Sequence, residues 1–291
     1  MTLAHRFKQV DVFGSAPGRG NPVAVVFDAD ALTTVDMQRF ANWTNLSETT
    51  FLLAPTTSDA DYRVRIFTPD AELPFAGHPT LGTCHAWLEA GHRAARTGRI
   101  VQECGVGLVT LRHDGRRLAF AAPPLRRNGP VAEADLLRIC RVLRVEPSAI
   151  LRAQWVDNGP GWVAVMLRDA AAVRALEPDF SAGEASGVGI VGSAPLGIVG
   201  RHAAGPAAIE VRAFFRANGV PLEDPVTGSL NAALGQWLLR DKVLTSPYLA
   251  TQGAALGRAG EIHVEAEGET IWVGGDATTC IDGRVIVGSG A

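Results

Sequence analysis

The sequence predicts an α/β protein built as two similar halves, and three observations carry that expectation. The chain has 291 residues, more than one average domain needs. Strand-like alternation and helix-like periodicity follow one another along its length. Finally, the plan of residues 64–88 returns in residues 211–239, roughly 150 residues later.

In the first half, residues 5–14 alternate, with Phe7, Val10, Val12 and Phe13 apolar, and read as a strand. GSAPGRGNP makes a loop, and Val23 to Phe27 is a short apolar run of the buried-strand kind. Thr33 or Thr34 is placed to cap a helix running to about Asn42, with Met37, Phe40 and Ala41 on one face. SETTFLLAP reads as a strand from Ser47 and YRVRIFTP as another. A helix is expected after Pro79, with Leu81, Cys84, Trp87 and Leu88 on one stripe and an end at Gly91. Asp114-Gly115 marks a hairpin turn.

Three prolines and a glycine in PPLRRNGPVAEAD, residues 123–135, mark a boundary. The halves are therefore set at 1–124 and 125–291, with the terminal strand GRVIVG able to be shared with the first. After the boundary the order is helix (LLRICRVL), strand (WVAVMLR), helix, strand (IEVRAFF), helix, and then EIHVEAEGETIWVGG. The repeated plan is a Val-Arg strand, a proline-containing loop, a glycine, and an amphipathic helix with Trp-Leu near its end. It matches Gly77-His78 to Gly228-Ser229 and implies two like halves facing each other.

Composition limits the partners. The chain is 47% hydrophobic and 20% charged with a formal charge of −3, which lacks the basic footprint that nucleic acid or an anionic membrane demands. No run is long and apolar enough to span a bilayer, and the N-terminus carries no hydrophobic signal core. Cys84, Cys104, Cys140 and Cys280 are widely separated, as in a reduced, cytoplasmic protein. Seven histidines occur without HExxH or a tight pair; His78 and His85 share a helix face but have no third ligand nearby, so no metal is expected. GVGIVG, residues 187–192, fits a dinucleotide fingerprint on paper, but SAPLGIVGRH after it is no helix, so it reads as a glycine-rich strand and no cofactor is expected. Trp162 and Met166 are assigned to the core of the second half.

LPFAGHPTLG holds the chemistry. A helix N-terminus presents unsatisfied amides and the positive end of its dipole, and a glycine there lets a carboxylate come close. Two such ends, at Gly77 and Gly228, would hold a small acid, with His78 and Ser229 as first-turn side chains. Taken singly, each glycine need only permit a turn and each polar neighbour only cap a helix; the duplication favours a ligand. Asp224, on a stiff loop before Pro225, is either solvated or orients a histidine. Glu48 begins an apolar strand; at the mouth of a core, desolvation would raise its pKa and suit it to giving and taking protons near neutral pH.

Together these stretches resemble the phenazine-biosynthesis isomerase (PhzF-like) family. The likeness runs through VDVF, GNPVAVV, NLSETTF, RIFTPDAELPFAGHPTLGT, EVRAFF, EDPVTGS, QGAALGRAGEIHV and VGGDA, nearly the whole chain. It implies the diaminopimelate epimerase-like fold: two halves, each a curved, mostly antiparallel sheet wrapped round a central helix, with the active site between them. It also implies a homodimer that moves a proton within a small cyclic or unsaturated carboxylic acid without cofactor or metal. Glu48 matches the family's proton shuttle, His78, Asp224 and Ser229 its supporting catalytic residues, and Gly77 and Gly228 the substrate-binding helix ends. Racemases of the same fold use two thiols, where this chain has Ala76 and Thr227. Two departures, SAPGRGNP without a preceding aromatic residue and FFRANGVPL in place of a proline-rich loop, bear on the substrate. The rival readings are a hydrolase or dehydratase using His78, Asp224 and Ser229, and a non-catalytic binder of small acids.

Overall fold

The computed structural model describes residues 2–115, 117–181, 194–217 and 220–288. The glycine-rich strand expected at 187–192, and residues 218–219 of the FFRANGVPL loop, lie outside the described residues. The chain divides into two compact units, Met1–Ala121 with Gly274–Ala291, and Ala122–Val273.

The first unit contains β1 (Thr2–Val12), β2 (Asn21–Val26), α1 (Thr34–Thr44), β3 (Glu48–Leu53), β4 (Tyr62–Phe67), β5 (Glu72–Leu73), α2 (Gly77–Glu89), β6 (Arg99–Cys104), β7 (Gly107–His113) and β8 (Leu118–Ala121). The second contains β9 (Arg127–Pro130), α3 (Glu133–Leu143), β10 (Ile150–Asp157), β11 (Val163–Leu167), α4 (Ala170–Arg174), β12 (Leu196–Arg201), β13 (Ile209–Ala217), β14 (Val220–Asp224), α5 (Gly228–Arg240), β15 (Tyr248–Gln252) and β16 (Gly260–Glu267). β17 (Thr270–Gly275) follows, and the terminal β18 (Ala277–Gly288) pairs antiparallel with β1 of the first unit.

Pairing follows one scheme in both units. In the first, β1–β2 is antiparallel, β2–β3 parallel, β3–β4 antiparallel, β4–β6 parallel and β6–β7 antiparallel, with β5 as a short flap on β4. In the second, β10–β11, β11–β12, β12–β13, β13–β15 and β15–β16 repeat those senses in that order, with β14 as the flap on β13. The duplication legible in residues 64–88 and 211–239 thus extends to whole units.

Local chemistry explains the elements. Thr33 and Asp36 form a reciprocal capping box at the start of α1, and Asn45 in the left-handed region ends it. The helix runs to Thr44, slightly beyond the expected Asn42, and buries Met37, Phe40 and Ala41 against Val26, Phe51 and Phe67. The hairpin forms as expected: His113 pairs with Leu118, Asp114 Oδ1 accepts from the Arg117 amide at 2.7 Å, and Gly115 has φ +92°. α2 begins at Gly77, two residues before the expected start. Pro79 is its third residue, a position where the missing N–H breaks no helical bond.

α2 buries ten of its thirteen residues, so it is a core helix rather than an amphipathic surface one. The pairings put the first unit's strands in the order β18-β1-β2-β3-β4-β6-β7-β8. α2 packs against β18 and β1 at one end of that order and β8 at the other, so the sheet curves round it. α5 buries nine of thirteen residues and packs on β10 and β16.

The tightest approach is at Gly82, where a Cβ would lie 2.3 Å from Val23 Cγ1 and 3.0 Å from Val12 Cγ2. Helix propensity alone would make Gly82→Ala stabilising by about 1 kcal/mol, whereas overpacking costs about 1–3 kcal/mol or more. Net destabilisation is therefore expected, read as a lower urea midpoint. A raised midpoint would show that α2 does not press on β1 and β2.

Candidate active site

In the first unit the site is built from a loop, a strand start and a helix tip. Asp11 Oδ2, on buried β1, accepts from the amides of Arg19 at 2.9 Å and Gly20 at 2.8 Å, which folds residues 14–20 back on the strand. Gly14 and Gly20 are required there, since a Cβ on Gly20 would lie 2.1 Å from the Val12 carbonyl and one on Gly14 2.6 Å from the Gly20 amide. The loop delivers Asn21 and Pro22 to the end of α2. Asn21 Nδ2 is 3.4 Å from His78 Nδ1, and the Pro22 carbonyl hydrogen-bonds the same ring.

β2 and β3 lie parallel with Val23 opposite Glu48, so Glu48 emerges at the level of His78. Its Oε2 is 3.2 Å from His78 Nε2, a close approach without the alignment of a hydrogen bond. The two side chains are 16% and 5% exposed, so both are largely withdrawn from water. Burial pushes the His78 ring down to about 3, against the opposing pull of the Pro22 carbonyl. At neutral pH the imidazole is therefore uncharged and holds one N–H and one lone pair.

The tip itself is bare. Ala76 caps α2 in extended geometry with no side-chain hydrogen bond, and the first turn carries no acid. The amides of Gly77 and His78 have no helical acceptor, and Pro79 contributes none. Behind them, Thr83 Oγ1 donates to Thr50 Oγ1 at 2.8 Å, which donates to the Ala24 carbonyl at 3.1 Å, tying α2, β3 and β2 together. Gln102 Nε2 donates to Thr80 Oγ1 at 3.0 Å and its Oε1 accepts from Tyr62. These buried polar residues fix the tip relative to Glu48.

The second unit repeats the devices with other residues. Asp157 Oδ1 accepts from the amides of Gly159 and Gly161, both at 2.7 Å, as Asp11 does for its loop. Val10 pairs with Val23 and Trp155 with Val163, so Trp162 stands where Pro22 does. Its Nε1 donates to Ser229 Oγ at 3.0 Å, while Asn158 Nδ2 donates to the Ser229 carbonyl at 2.8 Å. Trp162 is buried, as expected of a core residue, yet its indole also serves the helix tip.

Asp224 supports that tip as well. Its Oδ2 accepts from Thr227 Oγ1 at 2.6 Å. Gln252 bridges the Asp224 carbonyl, Thr227 Oγ1 and the Thr227 amide, and Asn231 Nδ2 donates to both the Thr227 carbonyl and Gln252 Oε1. α5, like α2, has no side-chain cap and no acid in its first turn. The structure thus gathers Glu48, Gly77 and His78 in one unit, and Asp224, Gly228 and Ser229 in the other. Asp11, Asn21, Asp157, Asn158, Trp162 and Gln252 join these groups without having been singled out as site residues. A recurring Asp before each glycine loop was the signal for two of the supports.

One feature is not duplicated. Val163 lies opposite Leu196 as Val23 lies opposite Glu48, so the second unit has leucine where the first has its carboxyl group. Thiols do not substitute. Ala76 and Thr227 hold the two N-cap positions, Cys84 is enclosed in α2 with its pKa pushed up to about 12 by burial, and Cys280 lies exposed on β18.

Known proteins resemble this chain in sequence and in fold. A family model described as phenazine biosynthesis-like protein matches residues 10–283. Antisense-enhancing sequence 1 of Schizosaccharomyces pombe is 36% identical over 299 residues, covering 97% of this chain and 99% of that protein. The trans-2,3-dihydro-3-hydroxyanthranilate isomerase of Pseudomonas aeruginosa is 36% identical over 302 residues, covering 96% and 99%. The crystal structure of a PhzF-family protein from Bacillus anthracis superimposes with a TM-score of 0.81 at 21% identity, covering 97% and 99%, and supports the fold. The chain belongs to the phenazine biosynthesis-like family, and it is an isomerase of that family.

Proposed function

We propose that the protein moves a proton within a small cyclic or unsaturated carboxylic acid, with Glu48 as both base and acid. The observation that carries this reading is the enclosed Glu48–His78 pair beside the uncapped amides of Gly77 and His78. The name of the Pseudomonas aeruginosa relative, an isomerase of a dihydro-hydroxyanthranilate, supports the substrate class.

The chemistry balances without oxidant, reductant or water. The Glu48 carboxylate takes a carbon-bound proton; the C–H electron pair spreads through the unsaturated system toward the substrate carboxylate. Helix-end amides and the neutral His78 ring stabilise the developing charge. The carboxyl hydrogen on Glu48 exchanges with solvent, and Glu48 then delivers a proton to a different carbon. Gly228 and Ser229 are assigned a like anion-binding task in their own unit, with Asp224 as the brace of that tip. The hydrolase reading loses support at Ser229: its hydroxyl accepts from Trp162 and, among the described residues, has no histidine, lysine or carboxylate as a hydrogen-bond partner that could deprotonate it.

Two outcomes are expected. With trans-2,3-dihydro-3-hydroxyanthranilate in deuterated buffer, NMR should show deuterium entering carbon positions. Glu48→Gln should slow this by about 10²–10⁴-fold while the variant keeps its fold by circular dichroism, whereas Ser229→Ala should retain measurable turnover. Undiminished exchange in Glu48→Gln would reject the shuttle, and abolished turnover in Ser229→Ala would revive the nucleophile.

The second outcome concerns pH. The His78 ring titrates near 3 in the folded protein and near 6.5 when unfolded. Between those values the unfolded chain holds a proton that the folded chain lacks, so stability falls as pH drops below about 6.5. From pH 7.5 to 5 the wild type should lose about 2 kcal/mol more than His78→Asn in urea unfolding. Equal losses would mean that the ring is not held neutral.

A further inference from the structure

GPGW, residues 159–162, brings an indole to the tip of α5 by a rigid route. Asp157 Oδ1 takes the amides of Gly159 and Gly161, and both glycines hold positive φ, +146° and +89°. The backbone around Trp162 is pinned on both sides. Its carbonyl accepts from the Val156 amide at 2.9 Å, and the next amide, of Val163, donates to the Pro195 carbonyl at 3.0 Å. Trp162 is 4% exposed. Its N–H therefore has one direction, whereas a serine hydroxyl rotates to suit its neighbours.

An indole nitrogen can only donate, and Ser229 Oγ accepts from it at 3.0 Å. That bond occupies a lone pair of the hydroxyl and turns its own proton away from the ring. Among the described residues Ser229 Oγ has no other hydrogen-bond partner. Ser229 is part-buried, while Gly228 and Leu230 on either side of it are buried. Its backbone is held separately, by Asn158 on the carbonyl. The hydroxyl proton is thus left for a bound molecule, beside the Gly228 and Ser229 amides, which have no acceptor within the helix. Three donors without an acceptor suit an anionic oxygen. The first unit works in the opposite sense: Pro22, at the equivalent place, presents an acceptor to its tip residue His78, whereas Trp162 presents a donor.

We propose, building on the anion-binding task assigned above to Gly228 and Ser229, that Trp162 is a positioning residue of the reaction. It commits the Ser229 hydroxyl to donate, and so to hold an anionic oxygen of the substrate at the tip of α5. Without the indole the hydroxyl is free to turn a lone pair toward the ligand, and the third donor is lost. Trp162 itself does not touch the substrate; its effect passes through one hydroxyl.

A double-mutant cycle read by steady-state kinetics with trans-2,3-dihydro-3-hydroxyanthranilate tests it. Trp162→Phe keeps an aromatic ring in the core and removes the N–H. It should lower kcat/KM by about 2–10-fold, the span of one neutral hydrogen bond. Ser229→Ala should lower it at least as much, and Trp162→Phe added to Ser229→Ala should change nothing further. An indole that only supports the fold would cost the same in both backgrounds. Hydrogen exchange supplies a reading in the unaltered protein: the Trp162 indole proton, followed by NMR, should exchange more slowly there than in Ser229→Ala. Trp162→Phe at wild-type kcat/KM, an equal cost in both backgrounds, or an indole proton that exchanges equally fast with and without the Ser229 hydroxyl would each overturn the proposal. Ser229→Ala at wild-type kcat/KM would overturn the anion-binding task beneath it. The exchange measurement needs no turnover, so a failed indole–hydroxyl bond and a failed isomerase reading stay distinguishable.

Discussion

A helix enclosed by its own sheet has only its ends left for polar work. α2 buries ten of thirteen residues, and its side faces are spent on packing against strands from both ends of the sheet. The amides of its first turn cannot be satisfied from within the helix. With no capping side chain, no acid in the first turn and a proline as third residue, the tip keeps a small positive field. Everything proposed for catalysis depends on that end. Glu48 and His78 have chemical meaning because the strand start and the loop bring them to it.

The two units show what duplication conserves and what it releases. Pairing order, central helix, glycine at the first helical position and an aspartate-held loop before the second strand are common to both. The side chains at the tips differ: His78 leans on Pro22 and Asn21, while Ser229 takes the Trp162 indole. The carboxyl group at the start of β3 has leucine as its counterpart. One carboxyl group that removes and returns a proton suits movement of hydrogen along a single substrate better than a pair of opposed bases does. The asymmetry is chemical rather than architectural.

Much of this was legible in the sequence because it is written locally. The threonine cap at Thr33 or Thr34, the turn at Asp114-Gly115 and the repeated glycine-led helices are short-range signals, and each produced the expected element. The supports of the site were not legible. Asp11 reaches amides eight and nine residues on, but Thr83 reaches Thr50 across 33 residues and Asn158 reaches Ser229 across 71. Those partners are set by sheet register and helix rotation, which no local pattern encodes. Short strands such as β9 and β14 escaped for a related reason, since their pairing is set by neighbours distant in sequence. Asp224 was open between solvation and orienting a histidine; its contact with Thr227 shows a third use.

The account stands on the uncapped end of α2 as the seat of a carboxylate. Titrating the isotope-labelled protein with benzoate, a cyclic acid that carries no labile carbon-bound hydrogen, reads that end directly through its backbone amide resonances. Saturable shifts centred on Gly77 and His78, reversed when the dihydro-hydroxyanthranilate competes, are the predicted result. Saturable binding that leaves both amides unmoved would contradict it.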